Sequence, residues 1–133
     1  MQSKTKGEFT PALSIEGMYV LDQCALIEVR CAEIYRHFAQ VSDLQELETL
    51  WKKTALEEDH HALQFDMLSR LKGEGIAAVK ADTAGIAAVL KNLQSLFDKI
   101  RKSRVSPIDC LKLGIKLEEL PKPVPLQFRS NMQ

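Results

Sequence analysis

Two overlapping Glu-x-x-His pairs near the middle of the chain are the first residues that could do chemistry. They are Glu57/His60 and Glu58/His61. At helical spacing Glu58 and His61 fall among apolar residues, whereas Glu57 has partly polar neighbours. We therefore predict that Glu58 and His61 point inward. On a helix, a carboxylate and an imidazole one turn apart can bind the same metal ion.

A further carboxylate lies where an apolar residue is expected. Glu28 has small apolar residues three and four positions away on both sides, and Arg30, the one basic residue within a turn, points elsewhere. An ionised carboxylate in a core costs several kcal/mol unless it is paired or binds a cation. A metal ion between Glu28, Glu58 and His61 would meet that need, and such a ligand set suits iron or manganese better than structural zinc. The plainer alternative places both acids at the surface, on helices of a different phase.

Apolar residues recur at spacings of three and four, which predicts an all-α fold. Residues 14–40 are expected to form a helix with a single buried stripe. A second helix follows a break at residues 41–43 and ends at Gly73. A connection this short normally makes an antiparallel hairpin, so the two stripes should face each other.

Two more helices are predicted after this hairpin. One lies within residues 76–104, with its start left open, and the last begins at Ser106-Pro107, a capping serine followed by a proline at the first helical position. One face of the last helix carries Leu111, Ile115 and Glu118. Pro121 prevents its continuation. The expected organisation is an N-terminal tail, a helical domain and a proline-rich tail, at residues 1–13, 14–120 and 121–133.

Composition excludes several classes of protein. The 133 residues include 18 Lys+Arg and 18 Asp+Glu, which leaves no net positive charge to bind a nucleic-acid backbone. No stretch approaches the roughly 18 apolar residues of a membrane span, and the start has no apolar targeting segment, so we expect a cytoplasmic protein. The odd number of cysteines, without C-x-x-C spacing, predicts neither a disulfide framework nor a zinc knuckle.

Two segments of the sequence resemble a known family. In the first segment, Glu28 is followed by Tyr35 and then by Phe-Ala, in the order Glu28-Val-Arg-Cys-Ala-Glu-Ile-Tyr-Arg-His-Phe-Ala. The second segment contains Glu-x-x-His-Ala, in the order Ala-Leu-Glu-Glu58-Asp-His-His61-Ala. Both are similar to ligand helices of the rubrerythrin branch of the ferritin-like superfamily, and the interval from Glu28 to Glu58 also fits. The segment that ends at Glu118 resembles the start of the family's third ligand helix.

The resemblance implies a ferritin-like antiparallel helix bundle that binds iron through Glu28, Glu58, His61 and Glu118. The family's complete di-iron site has four carboxylates and two histidines, with a second Glu-x-x-His on a fourth ligand helix. This chain has only three histidines and turns to proline soon after Glu118. Two chains of a homodimer, or of a higher homo-oligomer, can supply the full set, as in the similar encapsulated ferritins. Alternatively, Glu118 joins the other three residues to hold one metal ion weakly.

The function implied by the resemblance is that of a non-haem di-iron protein, an iron oxidase or a peroxide reductase that uses peroxide or dioxygen. Manganese and zinc are the alternative metals, and the absence of a C-x-x-C rubredoxin module leaves the electron donor unknown. Tyr35, two turns after Glu28, is either a catalytic hydrogen-bond donor to a ligand or a bound oxygen species, or an ordinary core tyrosine. The alternative function is a non-catalytic helical scaffold or interaction protein with a degenerate metal site.

Overall fold

Four α-helices make up the part of the chain that the computed structural model describes, residues 15–70 and 83–120. They are α1 (Ile15–Val41), α2 (Gln45–Arg70), α3 (Thr83–Arg101) and α4 (Pro107–Glu118). The predicted all-α fold is thereby confirmed. None of these four helices is both long and apolar enough to cross a membrane. The expected tails at 1–13 and 121–133, the predicted end at Gly73 and the open start of the third helix lie outside the described residues.

Helices α1 and α2 form the predicted antiparallel hairpin. Trp51, early in α2, stacks on Tyr35, late in α1, with ring centroids 5.6 Å apart and planes at 10°. Towards the other end of the hairpin, Glu28 of α1 lies beside His61 of α2. Contacts that run in opposite sequence order along the two helices define an antiparallel pair, and the three residues 42–44 connect them.

Helix α1 is the central element of the bundle, because α2, α3 and α4 each pack against it. Its buried residues lie on one continuous arc of about 160°, at about 100° per residue, and they include Ile27, Glu28, Cys31, Ala32, Ile34 and Tyr35. The predicted single buried stripe is thereby confirmed. It is wider than the arc that one neighbour would cover, because three helices pack against it.

Helix α3 covers α1 through residues seven apart. Ile86, Leu93 and Ile100 are all buried in the common core. Phe97 adds an edge-on ring contact to His37 of α1, with centroids 6.4 Å apart. The predicted helical spacing in this segment is thus confirmed.

Helix α4 begins as predicted but presents a different face to the core. The Ser106 Oγ accepts a hydrogen bond from the backbone N–H of Asp109 at 3.1 Å, which satisfies one of the amide groups left free at a helix start. The buried side chains of α4 are those of Cys110 and Leu117, with Gly114 between them. The predicted face, with Leu111, Ile115 and Glu118, is exposed.

Gly114 explains this orientation of α4. A Cβ atom at this position would lie 3.0 Å from the Trp51 ring, closer than real side chains normally pack. The absence of a side chain therefore lets the α4 backbone approach the aromatic rings of α1 and α2. This contact places the last turn of α4 beside Tyr35.

Candidate metal centre

The two predicted carboxylates and the predicted histidine converge between α1 and α2. One potential ligand atom from each of Glu28, Glu58 and His61 lies within 4.8 Å of the other two. The His61 Nδ1 is 2.9 Å from the Glu58 Oε1 and 3.5 Å from the Glu28 Oε1. This group could hold a metal ion.

The hairpin itself produces this convergence. Antiparallel packing brings the middle of α1 against the second half of α2, so Glu28 meets the turn that carries Glu58 and His61. Residues one turn away from the acids are small and buried, among them Cys24, Cys31, Ala55 and Ala62. Small neighbours leave room for two carboxyl groups in an otherwise closely packed interior.

Burial differs sharply within the group. The residue Glu28 is 3% exposed and Glu58 2%, whereas the His61 side chain is 46% exposed. The centre therefore has a closed side, formed by the helix interface, and an open side at the imidazole. The open side is where an ion or a small molecule would enter.

The donor atoms that the group would offer to a metal ion are two carboxylate oxygens and one imidazole nitrogen. His61 Nδ1 and Glu58 already form a hydrogen bond in which the carboxylate accepts whenever that nitrogen carries a proton. Metal coordination through Nδ1 would replace this proton, since an imidazole nitrogen binds metal in its unprotonated form.

Glu118, the fourth predicted ligand, lies outside this three-residue group. Its Oε2 accepts a hydrogen bond of 2.6 Å from the Tyr35 hydroxyl, which is also 3.4 Å from the Gly114 carbonyl oxygen. Coordination by Glu118 stays a prediction, because Glu118 is not among the residues whose ligand atoms converge.

Tyr35 is held as a protonated phenol. Its side chain is buried, and burial raises its pKa far above the ordinary value of a tyrosine, with further contributions from the hydrogen bond and the charge of Glu118. Trp51 is buried against the Tyr35 ring. Sequence reasoning missed the Tyr35–Glu118 contact, since no spacing along the chain relates the two residues.

The buried thiol of Cys24 is kept in its neutral form. Burial raises its pKa to about 12, and the negative charge of Glu28 contributes to the same shift. A neutral thiol is a poor metal ligand. Cys24 is also not part of the group that could hold a metal ion.

No protein-family model, no curated protein and no solved structure matches this chain. The resemblance to rubrerythrins rests on the sequence motifs around Glu28, Glu58 and Glu118.

Proposed function

We propose that this protein binds iron at Glu28, Glu58 and His61 and acts as a non-haem iron protein of the rubrerythrin type. The observation that supports the proposal is the convergence of two buried carboxylates and one imidazole within 4.8 Å. Unlike charges at a surface, these acids lie in an interior where a bound cation would interact with them strongly. The three side chains come from two packed helices, so their positions are set by the core rather than by a loop.

Iron is the metal favoured by this ligand set, with manganese and zinc as alternatives. When bound, iron supplies the electron transfer that side chains alone cannot provide. The chain's own part is to hold two oxygen donors and one nitrogen donor in place and to exclude bulk water from the closed side. The proposed activity is that of an iron oxidase or a peroxide reductase, with peroxide or dioxygen reaching the centre past His61.

The number of metal ions depends on how many chains contribute ligands. One chain brings three donors together, which is enough to hold one ion. A di-iron centre of the rubrerythrin kind needs a second set, and a homodimer that joins the open His61 sides would provide it. Both arrangements give one iron per chain, but only the shared centre makes the two ions magnetically coupled.

Tyr35 is proposed as a hydrogen-bond donor next to the centre. Its hydroxyl is now used by Glu118. A catalytic contribution therefore requires the hydroxyl to turn from Glu118 towards a ligand or a bound substrate.

The test is a titration of the protein with ferrous iron without oxygen, followed by calorimetry and metal analysis. We expect about one iron per chain, and we expect that Glu58→Gln and His61→Ala each abolish this binding. The matched control is the neighbouring pair, because Glu57→Gln and His60→Ala change the same residue types at exposed positions. Circular dichroism of every variant separates loss of ligands from loss of the fold.

The second candidate is a helical scaffold or interaction protein whose metal site is degenerate. It is favoured by the fourth predicted ligand, Glu118, which is hydrogen-bonded to Tyr35 rather than grouped with the other three. Unchanged metal content in both Glu58→Gln and His61→Ala would exclude the iron centre and favour the scaffold function, because neither residue would then be a ligand.

A further inference from the structure

Helix α2 carries a second apolar face that the core does not use. Leu56, Leu63 and Met67 are 54%, 55% and 55% exposed. Their spacings of seven and four place them in one row along the helix. Leu56 and Leu63 each lie two positions from a buried residue, Glu58 and Phe65. Two positions correspond to about 200° of rotation, so this row, the outer face of α2, is opposite the core.

Charged residues follow one edge of the outer face in a symmetric order. Lys52 forms an ion pair with Glu48, and Arg70 forms one with Asp66, each at 2.8 Å. The two pairs lie on the same side of the helix, about five turns apart. Asp59 stands midway between them and is paired with Arg36 of α1 at 2.7 Å.

We propose that the outer face of α2 binds a second copy of this chain, with the two α2 helices antiparallel and related by a two-fold axis near Asp59. In this arrangement Leu56 lies opposite the partner's Leu63, and Leu63 opposite the partner's Leu56, so these exposed leucines cover each other. Glu48 then faces the partner's Arg70, and Lys52 faces the partner's Asp66. Every one of these cross-chain pairs joins opposite charges, and the symmetry forms each contact twice.

Charge favours this arrangement over parallel pairing. The charged residues lie on one edge of the outer face, and antiparallel helices set that edge against the same edge of the partner. A parallel pair would set it against the partner's opposite edge and would form none of these contacts between opposite charges. The antiparallel arrangement has one like-charge contact, between the two copies of Asp59. Arg36 already neutralises that carboxylate within each chain.

This interface is separate from the proposed iron centre. Glu58 faces α1, on the opposite side of α2 from Leu56. Dimerisation through the outer face leaves each Glu28–Glu58–His61 group within its own chain, so this inference does not depend on iron binding.

The test measures the molar mass of the full chain by light scattering after size exclusion. We expect twice the 15.0 kDa of one chain. Leu56→Glu/Leu63→Glu should halve that mass while the helical circular dichroism stays unchanged, because both side chains are largely exposed. A monomeric parent chain, or a dimer that survives this double change, would overturn the proposal.

Charge exchange tests the pairing without removing any apolar contact. Asp66→Lys/Arg70→Glu and Glu48→Lys/Lys52→Glu each keep an ion pair within the helix but make every cross-chain pair repulsive, so each variant alone should be monomeric. An equimolar mixture restores opposite charges at all four contacts and should form a one-to-one heterodimer. If the mixture behaves as its separate components do, the antiparallel register is wrong.

Discussion

Helix α2 carries two Glu-x-x-His pairs that are displaced by a single residue yet have different environments. In the inner pair, Glu58 is buried and His61 lies 2.9 Å from it. In the outer pair, Glu57 and His60 are both exposed. Residue types and spacing are identical, so the difference comes from position alone. One residue along a helix turns a side chain by about 100°, which here separates the interface with α1 from solvent.

Iron should stabilise the folded chain through the inner pair. A ligand that binds only the folded state adds about 2.7 kcal/mol to the free energy of unfolding at a free concentration one hundred times its Kd. We expect ferrous iron to raise the Tm of the parent chain and of Glu57→Gln/His60→Ala, and a chelator to reverse the rise. Glu58→Gln/His61→Ala should show no rise. If the rise is equal in both double variants, the metal binds elsewhere.

The small residues beside the inner pair should be needed for close packing of α1 against α2. Ala62, one turn after Glu58, is buried, so Ala62→Leu should lower the free energy of unfolding by about 1–3 kcal/mol through overpacking. The same side chain at exposed position 57, in Glu57→Leu, should change it by less than about 0.5 kcal/mol. Urea denaturation measures both. Equal losses of unfolding free energy in the two variants would mean that the interface between α1 and α2 is not closely packed around Ala62.

Removal of the Tyr35 hydroxyl should lower the free energy of unfolding but should leave iron binding unchanged. Tyr35→Phe deletes the hydrogen bond to Glu118 and should cost about 1 kcal/mol, whereas Tyr19→Phe, at an exposed position, should cost almost nothing. The iron content of Tyr35→Phe and of Glu118→Gln should equal that of the parent if three ligands are sufficient. A loss of iron in Glu118→Gln alone would make Glu118 the fourth ligand.

Alkaline pH should destabilise the chain gradually. The pKa of Cys24 is raised from 9.0 to about 12 and that of Tyr35 is raised above its usual value, so the folded state keeps protons that the unfolded state releases. Stability that is fully present below pH 9 therefore declines as the pH rises towards 12. Cys24→Ala should reduce the slope of unfolding free energy against pH in that window. An unchanged slope would show that the thiol ionises equally in both states.

The most accurate sequence predictions came from helix periodicity and helix capping. Ser106 and Pro107 located the start of α4, and the apolar neighbours of Glu58 selected the buried glutamate from two overlapping motifs. Both predictions rest on interactions within one or two helical turns, which the sequence alone contains. The predicted inward orientation was wrong for His61, whose side chain is 46% exposed although it lies beside Glu58.

The wrong or missing predictions concern helix faces whose environment depends on a neighbouring helix. The prediction for α4 followed its large apolar residues, whereas Gly114 determines which face approaches the core. The exposed row of Leu56, Leu63 and Met67 was not predicted, because its position opposite the core follows from the packing of α2 on α1.

The sequence by itself determined where most of the described helices lie and which residues share a helical turn, because those properties follow from local backbone geometry and short-range contacts. It also placed a glutamate and a histidine one turn apart on α2. Only the tertiary structure decided that Glu28 reaches them, that Glu118 is hydrogen-bonded to Tyr35 and that α4 approaches through Gly114. These contacts join residues far apart in the chain, and their partners are selected by how four helices fill one common core.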